Sequence, residues 1–204
     1  MPQEPPGPSE RIQLPGRDDF DDPTLDPRWI SVRRPATDVA SLEIRPGWMT
    51  LHGTPNDLGD PEPTFVGRRQ QHHHCRARAS VDVGADGRAG LAIRMDENSH
   101  CEVAVADDRI IASGRTGSFV LPVAEAPLPA GPVTLVIETG PHQWGPDTVR
   151  LGFEDETGLM LVLSEFDGRY LSAEVASGFV GRVIGMYAIE CTAAFDWFDY
   201  EETA

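Results

Sequence analysis

Between Cys75 and Val83 the chain alternates strictly: Cys75, Ala77, Ala79, Val81 and Val83 share one face of an extended segment, and Arg76, Arg78, Ser80 and Asp82 take the other. One face is built for a core and the other for water. The same period of two marks Ser41–Ile44, Trp48–His52, Thr64–Arg68, Ala89–Met95, Cys101–Ala106 and Arg109–Ala112. It continues through Ser118–Val123, Val133–Thr139, Thr148–Phe153, Leu159–Ser164, Val180–Ile189 and Ala194–Tyr200. A helical period is nowhere sustained; only Glu165–Leu171 suggests a helical turn. About thirteen short strands exceed what one twisted open sheet usually carries, so the expected fold is all-β, two packed antiparallel sheets in a jelly-roll sandwich.

Turn chemistry punctuates these runs. Asp86-Gly87 and Asp167-Gly168 read as turns, and Pro129-Ala130-Gly131-Pro132 as a rigid corner before the strand at Val133. Residues 1–16 carry five prolines and little apolar periodicity, so a flexible Pro-rich arm is expected there, with one domain over 17–204. No internal repeat of solenoid or propeller length is present.

Composition narrows the partners. A net charge of −16 without a basic stripe repels phosphate backbones and anionic lipid, so no nucleic acid and no membrane are expected. No apolar run approaches the roughly 20 residues of a membrane span, and the start lacks the basic and apolar regions of a secretory signal. A cytoplasmic protein is therefore expected. All 17 basic residues are arginine, which fits a G+C-rich genome, since lysine codons are A-rich. Cys75, Cys101 and Cys191 are widely spaced, and the first two fall on apolar-facing positions, which reads as buried thiols.

Motifs for nucleophilic, phosphate, dinucleotide and metalloprotease chemistry are missing from the sequence. His72-His73-His74 cannot converge on one ion while they lie on an unbroken strand, because successive side chains alternate faces. Two acidic segments at opposite ends are more informative: Asp18-Asp19-Phe20-Asp21-Asp22 with Leu25-Asp26-Pro27-Arg28-Trp29, and Ala194-Phe195-Asp196-Trp197-Phe198-Asp199-Tyr200. Terminal strands of a jelly roll commonly meet, which would bring Asp19 and Asp196 together as ligands for calcium. Alternatively, the aromatics are core anchors whose aspartates face water. For sugar binding, Trp48 and Trp144 are the candidate platforms; Trp144 lies in the Gly- and Pro-rich stretch Gly140–Pro146.

Several segments in order resemble the concanavalin-A-like domain that follows the five-bladed propeller in family-43 β-xylosidases. They are Arg17–Asp21 through Leu25–Trp29, Arg45-Pro46-Gly47, Gly67–Gln70, Ala89–Ala92 with Asp96-Glu97-Asn98, Tyr170–Gly181, Val183–Ala188 and Phe195–Phe198. Leu171–Gly181 and Phe195–Phe198 are the most specific. The resemblance implies a two-sheet jelly roll that packs against a propeller as an accessory and carries none of the catalytic acids. It also implies that one loop lends an aromatic side chain to the sugar pocket, a position Phe179 matches. The start Asp18-Asp19-Phe20 looks like that of related jelly-roll glucanases, where calcium sits between the first and last strands.

No propeller can be read before Arg17, so the resemblance does not transfer an activity. The expectation is a non-catalytic carbohydrate-associated module that binds a glycan or docks to a separately encoded glycoside hydrolase. The alternatives are a small glycoside hydrolase or lyase acting on xylan- or arabinan-type oligosaccharides, and a structural or oligomerisation domain. Facing acids across a groove would favour the enzyme, and an exposed apolar patch on a flat or convex surface would favour docking or oligomerisation.

Overall fold

The computed structural model describes residues 16–84, 87–176 and 180–203. Its strands are β1 Ile30–Ser31, β2 Ala40–Ser41, β3 Met49–His52, β4 Thr64–Arg69, β5 Cys75–Val83, β6 Arg88–Asp96 and β7 Ser99–Ala106. They continue as β8 Arg109–Thr116, β9 Phe119–Pro127, β10 Val133–His142, β11 Gly145–Glu154, β12 Met160–Asp167, β13 Val183–Ile189 and β14 Thr192–Glu202. Two seven-stranded sheets result. The first runs β1-β4-β13-β6-β7-β8-β9, the second β12-β11-β10-β5-β14-β3-β2, and the paired strands within them are antiparallel. The expected two-sheet jelly-roll sandwich is what the chain forms.

The alternation in β5 explains its place. Cys75, Ala77, Ala79 and Val81 are buried between the sheets, and Arg76 and Arg78 turn outward into ion pairs with Glu138, Glu154 and Asp199. Across from them, Leu91, Ile93, Val103 and Ile110 of the first sheet are fully buried and, with Phe195 and Phe198 of the second, fill the space between the layers. Each large side chain fully removed from water there stabilises the fold by roughly 1.5–3 kcal/mol.

In β6 and β7 both faces are buried, not one. The connection over 53–63 runs across the outer face of the first sheet and lays Leu58 against Phe65, Ala92, Ala104 and Tyr187, a second, smaller apolar cluster. Arg94 donates from Nε to the Leu58 carbonyl at 3.2 Å, which pins that strap.

Several boundaries differ from the sequence reading for local reasons. The expected strand Ser41–Ile44 stops at Ser41, because the Ser41 hydroxyl accepts the Glu43 amide and bends the chain off the ladder. The expected Val180 start of β13 moves to Val183. Ile30–Ser31 is a strand that two residues of sequence could not announce. Of the turn signals, Asp86 lies outside the described residues, whereas Asp167 caps a short 3-10 turn over Gly168–Leu171 by accepting the Arg169 amide at 3.0 Å. The expected arm also lies outside the described residues up to 15; Gly16 already belongs to the sandwich, its carbonyl accepting from the Tyr200 amide (3.2 Å) and from Arg68 Nη1 (3.1 Å). Among the described residues, no helix is long and apolar enough to cross a membrane.

Candidate interface at the loop end of the sandwich

At one end of the sandwich, the connections β4–β5, β8–β9, β10–β11 and β12–β13 converge around three adjoining depressions. A cleft of about 390 Å³ is lined by Gln70, His72, Leu171, Val180 and Arg182, among others. A second, of about 510 Å³, shares His73 and Asp147 with it. A third, of about 290 Å³, shares Leu171 and is walled by Trp144, Tyr170, Leu121 and Glu165.

Arg182 organises this end. Its Nε donates to the Leu171 carbonyl at 2.7 Å, its Nη2 to the Gly168 carbonyl at 2.7 Å, and its Nη1 to Asp147 Oδ1 at 2.9 Å, with Nη2 also paired to Asp147 Oδ2. The residue therefore spans both ends of the β12–β13 connection and ties them to β11. The Arg182 carbonyl in turn accepts the Gln70 amide at 2.9 Å. Gln70 donates from Nε2 to the His72 carbonyl (2.8 Å) and to Thr139 Oγ1 (3.1 Å), and Thr139 donates to the His73 carbonyl at 2.8 Å. The Tyr200 hydroxyl accepts the amides of Gln71 and His72 at 2.9 and 3.1 Å. The histidine run is thus held by its backbone in the β4–β5 connection. The imidazole of His72 lies 3.6 Å from Glu202, while His73 and His74 line the second depression.

The same end also bares apolar side chains, beside charged ones such as Arg169 and His142. Phe119 and Val120 of the β8–β9 hairpin are each 74% exposed, and Trp144, Tyr170, Val175 and Val180 are all about half exposed. Trp144 stands in the tight turn at the tip of the β10–β11 hairpin, where its amide donates to Thr148 Oγ1. Phe179 lies outside the described residues. Phe119 and Val120 escaped the sequence reading, because an apolar side chain on an alternating strand looks the same whether its face is covered or bare, and Tyr170 escaped it because it lies in the short turn Gly168–Leu171, which has no period to mark an outer face. Arg182 and Gly168 escaped it because no local spacing connects them to Asp147.

The two acids expected to share calcium stand in different settings. Asp19 is ion-paired with Arg17 at 2.7 Å and its side chain is 53% exposed. The residue that meets β14 is its neighbour Asp18, bridged to Phe198, while Asp196 sits at the bulge between Phe195 and Trp197. Among the described residues, no group of three or more His, Cys, Asp or Glu side chains is arranged to hold a metal ion.

The carboxylates buried elsewhere are each held by arginine. Glu102 accepts from Arg88 (3.0 Å), Ser113 (2.7 Å) and the Tyr187 hydroxyl, on the outer face of the first sheet. Glu138 is gripped by Arg76 and Arg150 on the outer face of the second. These two acids therefore face away from each other across the whole sandwich. Cys75 and Cys101 are buried free thiols, and burial pushes the Cys101 thiol up to about 12, so it stays protonated.

Against this geometry, the comparisons with known proteins are specific. The family described as "Beta xylosidase C-terminal Concanavalin A-like domain" matches residues 17–201. The chain belongs to this family. A curated relative, the non-reducing end α-L-arabinofuranosidase of Bacteroides ovatus, is 32% identical over 93% of this chain but only 37% of its own length. A solved structure from the same organism, described as a xyloglucan-locus family-43 protein, superposes with a TM-score of 0.84 at 30% identity, covering 98% of this chain and 42% of that one. A xylan β-1,4-xylosidase from Bacillus halodurans gives 0.82 at 27% identity, covering 98% and 41%. The chain thus spans about two fifths of the length of these relatives. A family-16 endo-β-1,3(4)-glucanase matches across 95% of its length with a TM-score of 0.60 at 11% identity, which is a likeness of fold alone.

Proposed function

We propose that this domain is a non-catalytic accessory of the family-43 hydrolase machinery for xylan- and arabinan-type glycans, and that it docks onto a catalytic domain through its loop end. The observation that carries the reading is the set of apolar side chains at this end, Phe119, Val120, Trp144, Tyr170, Val175 and Val180, that are left open to water. Side chains of this kind, above all Trp and Tyr, are those that anchor protein interfaces. The relatives are glycosidases more than twice as long as this chain, which supports a catalytic domain as the occupant.

The test mixes the purified chain with a family-43 catalytic domain severed from its own C-terminal sandwich, first that of the Bacteroides ovatus relative. Complex formation by analytical ultracentrifugation, with a rise in turnover of an aryl arabinofuranoside or xyloside, is the expected result. Turnover by the chain alone that a single carboxylate substitution abolishes would overturn the non-catalytic reading.

A second reading is favoured by one feature, the depression walled by Trp144 and Tyr170 with Glu165 at its rim. Two aromatic faces beside a hydrogen-bonding acid suit a sugar ring. Calorimetric titration with xylo- and arabino-oligosaccharides separates the two: binding lost in Trp144→Ala, without any complex with a catalytic domain, would favour the glycan.

A further inference from the structure

The β12–β13 connection is long, and little of it is packed: between Ser172 and Arg182 none of the described side chains is buried. Its short helix, Ala173–Ala176, is a single turn in which the amides of Val175 and Ala176 donate to the Ser172 carbonyl, at 3.1 and 2.8 Å. One turn of helix does not hold itself in water. Something else must fix the ends of this segment, and a single guanidinium contacts both of them. Arg182, at the C-terminal end, donates to the carbonyls of Gly168 and Leu171 at the N-terminal end, and its remaining edge meets Asp147 at the start of β11. Its side chain is only 13% exposed, so water competes weakly for these bonds. Gly168 completes the fit, because a methyl group there would overlap the Asp147 carboxylate.

We infer that Arg182, seated by Asp147 and Gly168, is a positioning residue that presets residues 168–176, the described first part of the β12–β13 connection, for the partner. The inference rests on the docking reading for its purpose, but the clamp itself is a property of this chain alone. A connection held in its bound shape does not have to be ordered on association, which is where preorganisation contributes affinity. Lysine at this position would keep the charge and lose the planar fork that reaches two carbonyls and a carboxylate together.

The experiment is hydrogen exchange followed by mass spectrometry on the full chain, comparing wild type with Arg182→Ala, Arg182→Lys and Gly168→Ala. Exchange across 168–176 should accelerate at least about tenfold in Arg182→Ala and Gly168→Ala and less in Arg182→Lys, with β13 and β14 unchanged, since local opening is separable from global unfolding. Gly168→Ala leaves Arg182 in place, so it carries the test if Arg182→Ala does not fold. Unchanged exchange across 168–176, or acceleration spread equally over β13, would overturn the clamp. Binding to the severed catalytic domain should weaken about tenfold in Arg182→Ala. If the wild-type chain forms no complex while the exchange result holds, the docking reading falls and the clamp stands. If the wild-type chain binds and Arg182→Ala binds equally well despite faster exchange, the presetting role is overturned.

Discussion

Asp18 and Phe198 exchange both backbone hydrogen bonds, at 2.8 and 2.9 Å, and so join the first described segment to the last strand. The Asp18 carboxylate then organises what lies behind the pair. It accepts the Phe20 amide (3.0 Å), the Trp29 indole N–H (2.8 Å) and Arg28 Nη2 (3.1 Å). Trp29 is thereby set edge-on to Phe198, with ring centroids 5.0 Å apart. Asp18→Ala leaves the amide and the indole without their acceptor. It is expected to cost about 2–4 kcal/mol and to lower the melting temperature by roughly 5 to 15 °C. A shift under about 2 °C in a thermal unfolding experiment would show that the carboxylate does not organise this corner.

Stability should peak in a pH window bounded by buried groups. Burial pushes Cys101 from 9.0 and Tyr200 from 10.0 up to about 12, and burial, with Glu102 alongside, carries Tyr187 well above 10.0. The unfolded chain releases these protons first, so their contribution is complete below about pH 9 and is lost as pH climbs toward 12. Burial lowers His100 below 6.5, so its contribution is complete above that value and is lost as pH falls through the folded pKa. Urea midpoints measured from pH 5 to 11 should trace a plateau between about 6.5 and 9. The alkaline limb should be shallower in Cys101→Ala and the acid limb flatter in His100→Gln. Limbs unchanged in both variants would assign the window to other groups.

Calcium shared by Asp19 and Asp196 would stabilise by about 2.7 kcal/mol at one hundred times its dissociation constant. If Asp19 exchanges Arg17 for an ion shared with Asp196, millimolar calcium should raise the melting temperature by roughly 5 to 10 °C, and Asp196→Asn should remove the rise while Asp107→Asn keeps it. Equal melting points in chelator and in millimolar calcium would sink the site.

Trp144→Ala and Tyr170→Ala act on half-exposed side chains, so each should move the melting temperature by no more than about 2 °C. If they anchor the interface, each should weaken complex formation with a catalytic domain by about thirtyfold or more. Full binding by both variants would place the contact elsewhere on the molecule.

The strands were legible because a half-buried strand writes its two environments in alternation, and β5 falls where the Cys75–Val83 pattern put it. The double burial of β6 and β7 was not, since the strap that lays Leu58 on their outer face is remote in sequence and carries no period. At the loop end, exposure could be read for Trp144 from its glycines and prolines. The Arg182–Asp147–Gly168 unit could not, because it joins residues 35 positions apart through hydrogen bonds to carbonyls, which every residue type offers alike.

The corner where Gly16 meets Tyr200 also has a mechanical consequence. The first described residues run antiparallel to β14, and Thr203 donates to the His74 carbonyl just beyond, so Gly16 and Thr203 lie at the same end of this sheet. Tension between Gly16 and Thr203 would load the bonds of the Gly16 carbonyl to Tyr200 and Arg68 first, then the Asp18–Phe198 pair, opening them one after another as a zipper opens instead of shearing a ladder all at once. Modest force would peel the first segment away and uncover Trp29 while the remaining strands stayed closed.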